Sequence, residues 1–292
     1  MSRQDAYNRY KDENGEPRFA ESTVLYFDLL GIASMARDRA ALEYLGRLRP
    51  ALEEAADLAE TDDPEESHAS TWFTDNLVVA TPILGPLQDE EGALLFTFLR
   101  ASYLCLPLLK AGFVGRGGIG FGDHYMDDRF VFGSALIDAV EAEKCTKYPR
   151  IALTPAASVL ACGLVASSGS ARPKQVPHIQ CLACDSEGVV FVDWITTWLD
   201  EEDDVILAHR LLEVFRNQIV ASLAASADRP EVHEKWQWMA DYFNWALSAP
   251  DSSLSWAKLR IAARAAPVHA ALRSDGSVSG IAGRLKREAI AA

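Results

Sequence analysis

Asp28 is the first residue of this sequence whose type and setting indicate chemistry. It lies in STVLYFDLLGI, residues 22–32, where a β-forming, apolar run ends at Gly31, which predicts a buried strand running into a tight turn. A carboxylate left unpaired in an apolar layer costs several kcal/mol or takes up a proton, so it needs a partner. Asp28 is therefore a candidate for a cation or phosphate site; the alternative is that it only caps a helix starting near Ala33.

Asp75 is the second such acid, in STWFTDNLVVATP, residues 70–82. We predict that Asp75 and Asn76 form a two-residue hairpin turn between strands at residues 71–73 and 77–80. Taken alone, the stretch favours a simpler interpretation, because Asp-Asn is good turn chemistry without any ligand.

A cation, Arg116, lies within the glycine-rich stretch FVGRGGIGFG, residues 113–122. So many glycines weaken an ordinary strand and indicate close approach of another backbone or of a ligand. The stretch is not a Walker-type phosphate loop, because the Lys-Ser/Thr ending is absent.

Composition limits what these residues can bind. A net charge of −14 argues against DNA or RNA, whereas a free nucleotide remains compatible if a divalent metal supplies positive charge. The five scattered cysteines form no disulfide framework, and Cys181 and Cys184 favour buried thiols over a zinc site. With no signal-peptide core and no apolar run long enough to span a bilayer, we expect a reduced, cytoplasmic protein without membrane contact.

The remaining elements follow from hydrophobic spacing along the chain. Residues 1–20 are predicted to be a loose arm or a short helix. Helices are predicted at residues 33–60, 91–111, 134–144, 156–162, 205–227, 232–247 and 255–272, and further strands at 150–154, 179–184 and 189–192.

This order predicts an α+β fold of ferredoxin-like βαββαβ type with an appended C-terminal helical segment. We divide the chain into an N-terminal arm at 1–20, a catalytic domain at 21–194 and a helical extension at 195–292. In this topology the strand of Asp28 lies beside the hairpin of Asp75, so the two acids can converge. The Trp-rich extension is interpreted as packing on the sheet or on a partner subunit.

Four motifs resemble those of the class III nucleotidyl cyclases, in family order over residues 22–155. FDLLGI, residues 27–32, is similar to the F-x-D-hydrophobic-x-G-F metal motif, and FTDN, residues 73–76, is similar to the hydrophobic-G-D hairpin. RGGIGFG, residues 116–122, is similar to the R-x-G-I-x-x-G strand, and FGSALIDA, residues 132–139, is similar to the F/W-G-x-x-V-N-x-A helix entry.

The chain departs from the purine cyclases where that family reads adenine. Thr71 stands in place of a Lys and Phe130 in place of a base-reading Asp, and the family's transition-state Asn and Arg fall at Ile137 and Glu141. A site without those groups cannot hydrogen-bond the adenine edge, which disfavours ATP. The Thr-Asp-Asn hairpin and the Trp-rich helices look like the pyrimidine cyclases of bacterial anti-phage (Pycsar) defence.

That resemblance implies conversion of UTP or CTP, with UTP favoured, to cUMP or cCMP and pyrophosphate by a homodimer with sites at the subunit interface. Asp28 and Asp75, with the Leu29 carbonyl, would hold two Mg²⁺ or Mn²⁺ ions. The implied nucleotide-binding residues are Phe27, Leu30, Gly31, Ile32, Thr71 and Phe130, with backbone amides from Leu30 to Ala33 on the phosphates. The side chain that stabilises the negative charge of the transition state is not assigned; the candidates are Arg116, Lys147 and Arg150.

Three rival interpretations remain. The chain is compatible with a degenerate cyclase fold that binds a nucleotide or a partner without catalysis, and with a helical interaction protein whose sheet is a scaffold. A diguanylate-cyclase-like enzyme is disfavoured, because the Gly-Gly-acid-acid-Phe signature is absent from the hairpin at residues 73–76.

Overall fold

The computed structural model describes residues 7–59, 68–83, 89–167, 181–248, 257–262 and 268–271. Within these ranges the strands are β1 Ala20–Leu29, β2 Ala69–Phe73, β3 Asn76–Pro82, β4 Gly115–Met126, β5 Val131–Gly133, β6 Ile151–Leu153, β7 Leu182–Asp185, β8 Val190–Val192 and β9 Val268–Ala271. The helices are α1 Ile32–Met35, α2 Ala41–Ala59, α3 Glu90–Ala111, α4 Ser134–Cys145, α5 Pro155–Ser167, α6 Trp194–Glu201, α7 Val205–Ala225 and α8 Pro230–Ala246. Two 3-10 turns span Asn8–Tyr10 and Ala257–Leu259.

All the described strands belong to one sheet of order β2-β3-β1-β4-β6-β8-β7-β9, with β5 paired to β4. The first four strands pair antiparallel in the order β2-β3-β1-β4. With helices between β1 and β2 and between β3 and β4, this is the ferredoxin-like βαββαβ arrangement. The predicted α+β fold, with helices at its C-terminal end, is confirmed.

Two glycines of β4, Gly118 and Gly120, allow a helix to pack closely on the strand. A Cβ atom added at Gly118 or Gly120 would overlap the carbonyl oxygens of Ala139 and Ala135 in α4. The close approach expected from this stretch is therefore that of a backbone, and it fixes α4 directly on the strand that carries Arg116.

The C-terminal helices share the hydrophobic core of the sheet. Phe27 of β1, Phe98 of α3, Phe215 of α7 and Tyr242 of α8 are fully or almost fully buried in one cluster. In the described part of the chain, one helical segment, Glu90–Lys110 of α3, is long and apolar enough to cross a membrane, and 72% of its apolar window is buried inside the protein. That segment is the core helix of this fold.

The predicted helix at residues 33–60 is wrong in its continuity, since α1 ends at Met35 and α2 starts at Ala41. The Asp38 carboxylate accepts a hydrogen bond from the Ala40 amide (2.8 Å), and such a local side-chain bond favours a turn over a continuous helix.

The hairpin turn was predicted one residue too late. Thr74 and Asp75 form it, and Asn76 is already in β3, paired with Phe73. Thr74 takes the left-handed φ of 58°, and its hydroxyl bonds to the Phe73 carbonyl (2.6 Å). The Tyr26 hydroxyl donates to the Asn76 side chain (2.6 Å), which holds that residue in the strand.

The two ends of the chain also differ from the prediction where they are described. The 3-10 turn at Ala257–Leu259 and strand β9 replace the helix predicted at 255–272, since β9 pairs with the edge of β7. Near the N-terminus, the predicted arm or short helix is in part packed: Tyr10, in the 3-10 turn, is fully buried with its hydroxyl 3.3 Å from Ser22 Oγ, whereas residues 12–19 are exposed. Residues 1–6 lie outside the described part.

The pair Cys181 and Cys184 lies inside the protein. Both side chains are buried. Over the described ranges, no group of three or more His, Cys, Asp or Glu side chains is placed to hold a metal ion.

Candidate functional site

Asp28 lies in one row with residues of two other predicted motifs. On one side it pairs with Asn76 of β3, and on the other with Arg116 of β4. The antiparallel register of three adjacent strands therefore brings the Asp28 motif, the hairpin and the glycine-rich strand to one end of the sheet.

Asp75 reaches the same end through the hairpin turn. Its carbonyl accepts a hydrogen bond from the Leu29 amide (3.2 Å), and its carboxylate accepts one from the Thr74 hydroxyl (2.8 Å). The charge of Asp75 is close enough to raise the pKa of Asp28. The expected convergence of the two acids is thus present.

Arg116 is held between two carboxylates. Its Nε lies 2.5 Å from Glu143 Oε1 in α4 and 3.6 Å from Asp28 Oδ2. Its Nη1 donates to the Thr146 carbonyl (2.9 Å). Glu143 is buried and was not predicted from the sequence, where one more Glu in an acidic helix carries no signal.

Two of the acids at this end, Asp28 and Glu143, have pKa values above their ordinary range. Burial raises the pKa of Asp28 above its ordinary value, the neighbouring Asp75 raises it further, and Arg116 opposes both effects. Burial likewise raises the pKa of Glu143 against the opposing effect of Arg116. Additional positive charge at this end would stabilise the ionised carboxylates, which is the electrostatic condition for a cation site.

Two further groups reach this end without any signal in the sequence. Burial and the charges of Glu143, Asp28 and Asp75 raise the pKa of Tyr26 to about 12. Lys235, on α8, is half-buried, and burial together with Arg116 lowers its pKa. Its distance along the chain is why no local pattern identifies it.

The residues that follow Asp28 present mainly backbone to this end. The side chains of Phe27 and Leu29 are buried in the core, with 0% and 2% exposure. The Leu30 amide donates to the Val114 carbonyl (2.9 Å), so it is not free for a phosphate. Gly31, with φ of 88°, precedes the single turn α1 that Ile32 opens.

Thr71 and Phe130 lie away from this row. Thr71 pairs with Val78 in the middle of the edge strand β2 and is half-buried. Phe130 precedes β5, at the far end of β4 from Arg116, where it is 58% exposed and stacks on Phe132 with ring centroids 6.0 Å apart. The structure thus joins Asp28, Asp75 and Arg116 but leaves Phe130 at the opposite end of the sheet.

The other two candidate cations are committed to structural ion pairs. Arg150 is buried and paired with Asp185 and with Glu187 (2.9 Å). Lys147 is exposed and its Nζ lies 2.7 Å from Glu234. Of the three candidates, Arg116 is the one beside Asp28.

Comparison with known proteins gives only distant likenesses. No protein-family model and no curated protein matches the chain. A crystal structure of the adenylyl cyclase CyaB from P. aeruginosa is similar at 12% identity and a TM-score of 0.42, over 60% of this chain and 94% of that one. A class III adenylyl cyclase-like ATP-binding protein from Pseudomonas aeruginosa is similar at 14% identity and a TM-score of 0.37, over 49% of this chain and 35% of that one. The fold assignment stands on the strand order described above.

Proposed function

We propose that the protein is a pyrimidine nucleotidyl cyclase that converts UTP to 3′,5′-cyclic UMP and pyrophosphate. The observation that carries the proposal is the convergence of Asp28 and Asp75, with the pKa of Asp28 raised by burial and by its neighbour. CTP is the alternative substrate. A cyclic pyrimidine nucleotide made in the cytoplasm would serve as a second messenger, for which anti-phage defence is the role we propose.

Two carboxylates at this end support the proposal of a divalent metal, although no described group of three or more His, Cys, Asp or Glu side chains is placed to hold one. Asp28 and Asp75 offer carboxylate oxygens, the ligands that Mg²⁺ and Mn²⁺ prefer, and they would hold two such ions with the Leu29 carbonyl. When bound, these ions lower the pKa of the ribose 3′-hydroxyl and neutralise the triphosphate.

The chain itself would position the nucleotide for ring closure. The amides from Gly31 to Ala33 face the phosphates in this proposal, and Arg116 supplies positive charge near the α-phosphate. The 3′-oxygen loses its proton and bonds to the α-phosphorus, while the bond from that phosphorus to the bridging oxygen breaks and pyrophosphate leaves. Glu143 keeps Arg116 oriented through their ion pair.

We propose a homodimer with sites at its interface, and the length of the sheet supports this proposal. Along β4, Arg116 and Met126 are separated by about 30 Å of extended strand, and Phe130 lies beyond Met126. Within one chain, a nucleotide held at Asp28 therefore cannot reach Phe130. A second copy that presents its Phe130 end to the Asp28 site would complete that site. Thr71 and Phe130 would then border the base, and no charged side chain would contact it.

Exposed apolar side chains at the Phe130 end support such an association. Phe19, Phe132 and Ile137 are each about half exposed, and the Phe19 and Phe132 rings lie 6.0 Å apart. Clusters of large exposed apolar residues mark interaction surfaces more often than isolated ones do.

A nucleotide-binding protein without catalysis is the second candidate. The specific observation is a groove of about 590 Å³ on α4, lined mainly by uncharged residues together with Asp138, Glu141 and the already paired Arg150. Its size suits a small ligand. However, it offers no free cation among its described lining residues, so it is a poor triphosphate site.

The test is incubation with each of the four ribonucleoside triphosphates and Mn²⁺, followed by mass identification of products. We expect cUMP and an equal amount of pyrophosphate from UTP. cAMP as the only product would refute the pyrimidine assignment, and nucleotide binding without pyrophosphate release would support the second candidate.

A further inference from the structure

Three polar side chains beside the candidate site form a series of hydrogen bonds that ends on Asp75. The Tyr26 hydroxyl donates to the side-chain carbonyl oxygen of Asn76 (2.6 Å). The Asn76 side-chain nitrogen lies 3.4 Å from Thr74 Oγ1, and the Thr74 hydroxyl lies 2.8 Å from Asp75 Oδ1. We call Tyr26, Asn76 and Thr74 the hairpin network. It connects strand β1 with the carboxylate at the hairpin tip.

The hairpin network begins beside Asp28. Tyr26 precedes Asp28 by two residues on β1, so both side chains lie on the same face of the sheet. Asn76 pairs directly with Asp28 across β1 and β3. The Asp75 carbonyl also accepts a hydrogen bond from the Leu29 amide (3.2 Å). Asp75 is therefore tied to β1 through its backbone and, by way of the network, through its carboxylate.

Thr74 takes part in this network from an unfavourable backbone conformation. In the described part of the chain it is the one non-glycine residue with a positive φ, and a branched Cβ is strained at its φ of 58° whereas glycine is not. Such strain persists where the surrounding structure holds the residue, and it clusters at functional sites. Since the backbone alone favours glycine here, the strain indicates a use for the side chain.

The Thr74 hydroxyl has two acceptors within reach. They are the Phe73 carbonyl (2.6 Å) and the Asp75 carboxylate (2.8 Å). A hydroxyl donates one hydrogen, and a charged acceptor forms the stronger bond. The hydroxyl can therefore restrict rotation of the Asp75 side chain, which would otherwise lose that freedom only when a ligand binds.

We propose that Thr74 is a positioning residue, whose hydroxyl fixes the Asp75 carboxylate as a ligand for a divalent cation, with Asn76 and Tyr26 supporting it. This inference rests on the proposed function for the metal-binding role of Asp75. It assigns the three polar side chains of the hairpin network a role that the two acids alone do not explain.

The test is Mn²⁺ binding to the protein without nucleotide, followed by electron paramagnetic resonance of the free ion. We expect Thr74→Gly to weaken binding about 10-fold, because side chains that orient metal ligands typically contribute about that much to affinity. Thr74→Ser keeps the hydroxyl and should bind within about twofold of wild type. Tyr26→Phe breaks the network at its far end and should weaken binding less, by about threefold.

Two controls separate positioning from folding. Because glycine adopts the φ of Thr74 without strain, the melting temperature of Thr74→Gly should not fall below that of wild type by more than a few degrees. Tyr125→Phe removes a tyrosine hydroxyl that donates to Asp127 (2.7 Å) near the opposite end of β4, and it should bind Mn²⁺ as wild type does.

The inference is overturned if Thr74→Gly binds Mn²⁺ as wild type does while Asp75→Ala loses binding, a result that leaves the metal site standing. Equal losses in Thr74→Ser and Thr74→Gly, or in Tyr125→Phe and Tyr26→Phe, also overturn it. Wild type that binds no Mn²⁺, or Asp75→Ala that binds as wild type does, refutes both the metal site and the inference. Weaker binding by Thr74→Gly, when wild type makes no cyclic product from UTP, supports the inference and refutes cyclisation.

Discussion

The two ends of strands β1 and β4 are chemically opposite. At one end, Asp28 and Arg116 pair across the strands, with Asp75 beside them. At the other, β1 and β4 meet at Ala20 and His124, near the exposed rings of Phe19 and Phe132.

The two ends differ in the number of charged side chains that they contain. The Asp28 end concentrates partly buried charges that are not fully neutralised by one another. The other end buries an uncharged imidazole: His124 is fully buried, its ring lies 5.6 Å from that of Tyr10, and no described residue bonds to either ring nitrogen. One sheet thus carries a charged end and an apolar end.

The largest effect is expected at the charged end. Asp28→Ala or Asp75→Ala should lower cyclic nucleotide production about 100-fold or more, because each would remove one of the two proposed metal ligands. The melting temperature should stay within a few degrees, since neither carboxylate stabilises the fold strongly. Product formation by mass spectrometry checks this, with the exposed loop variant Asp203→Asn as control. Wild-type turnover in either alanine variant would contradict the metal assignment.

At the apolar end, the double variant Phe130→Ala, Phe132→Ala should weaken self-association about 10-fold or more, because exposed aromatic anchors carry much of an interface's free energy. Sedimentation velocity over a concentration series measures this. Leu42→Ala is the matched control, since Leu42 is 84% exposed on α2, away from this patch. Equal weakening by both changes would mean that the patch is not the dimer surface.

His124 should make the protein sensitive to acid. Burial lowers its pKa from 6.5 to about 4. The unfolded chain therefore binds the proton first, and the free energy of unfolding should fall by up to about 3 kcal/mol as pH drops from 6.5 to 4. Urea unfolding of wild type and His124→Phe across this range checks the effect. The variant should show a flatter profile, and identical profiles would show that His124 is not the titrating group.

The smallest effect concerns the coupling of the two acids. Asp75→Asn removes a negative charge beside Asp28, so the pKa of Asp28 should fall towards its ordinary value. Carboxyl NMR titration without metal measures this shift. An unchanged pKa would mean that the two side chains do not interact.

The sequence predicted the charged end better than the apolar end for a physical reason. Asp28, Asp75 and Arg116 each sit in a local pattern of strand, hairpin or glycine run, and antiparallel pairing then places them together. Lys235 and Glu143 sit in ordinary amphipathic helices, where a charged residue has no distinguishing neighbours. The positions of these two side chains depend on how α8 and α4 pack, and local spacing in the sequence does not encode that packing.

The helices that were wrongly predicted at residues 33–60 and 255–272 have the same explanation, which is that the observed structure depends on particular contacts. The break between α1 and α2 depends on one Asp38 side chain bonding to a backbone amide, and β9 depends on an available edge of β7. Neither contact is visible in hydrophobic periodicity, which predicted helix in both places.

The most direct test of the central claim is a crystal structure grown with Mn²⁺ and 3′-deoxy-UTP, with data collected at a wavelength that reveals manganese. The account predicts anomalous density within about 2.5 Å of carboxylate oxygens from both Asp28 and Asp75. Manganese bound elsewhere, with these two side chains contacting no ion, would contradict it.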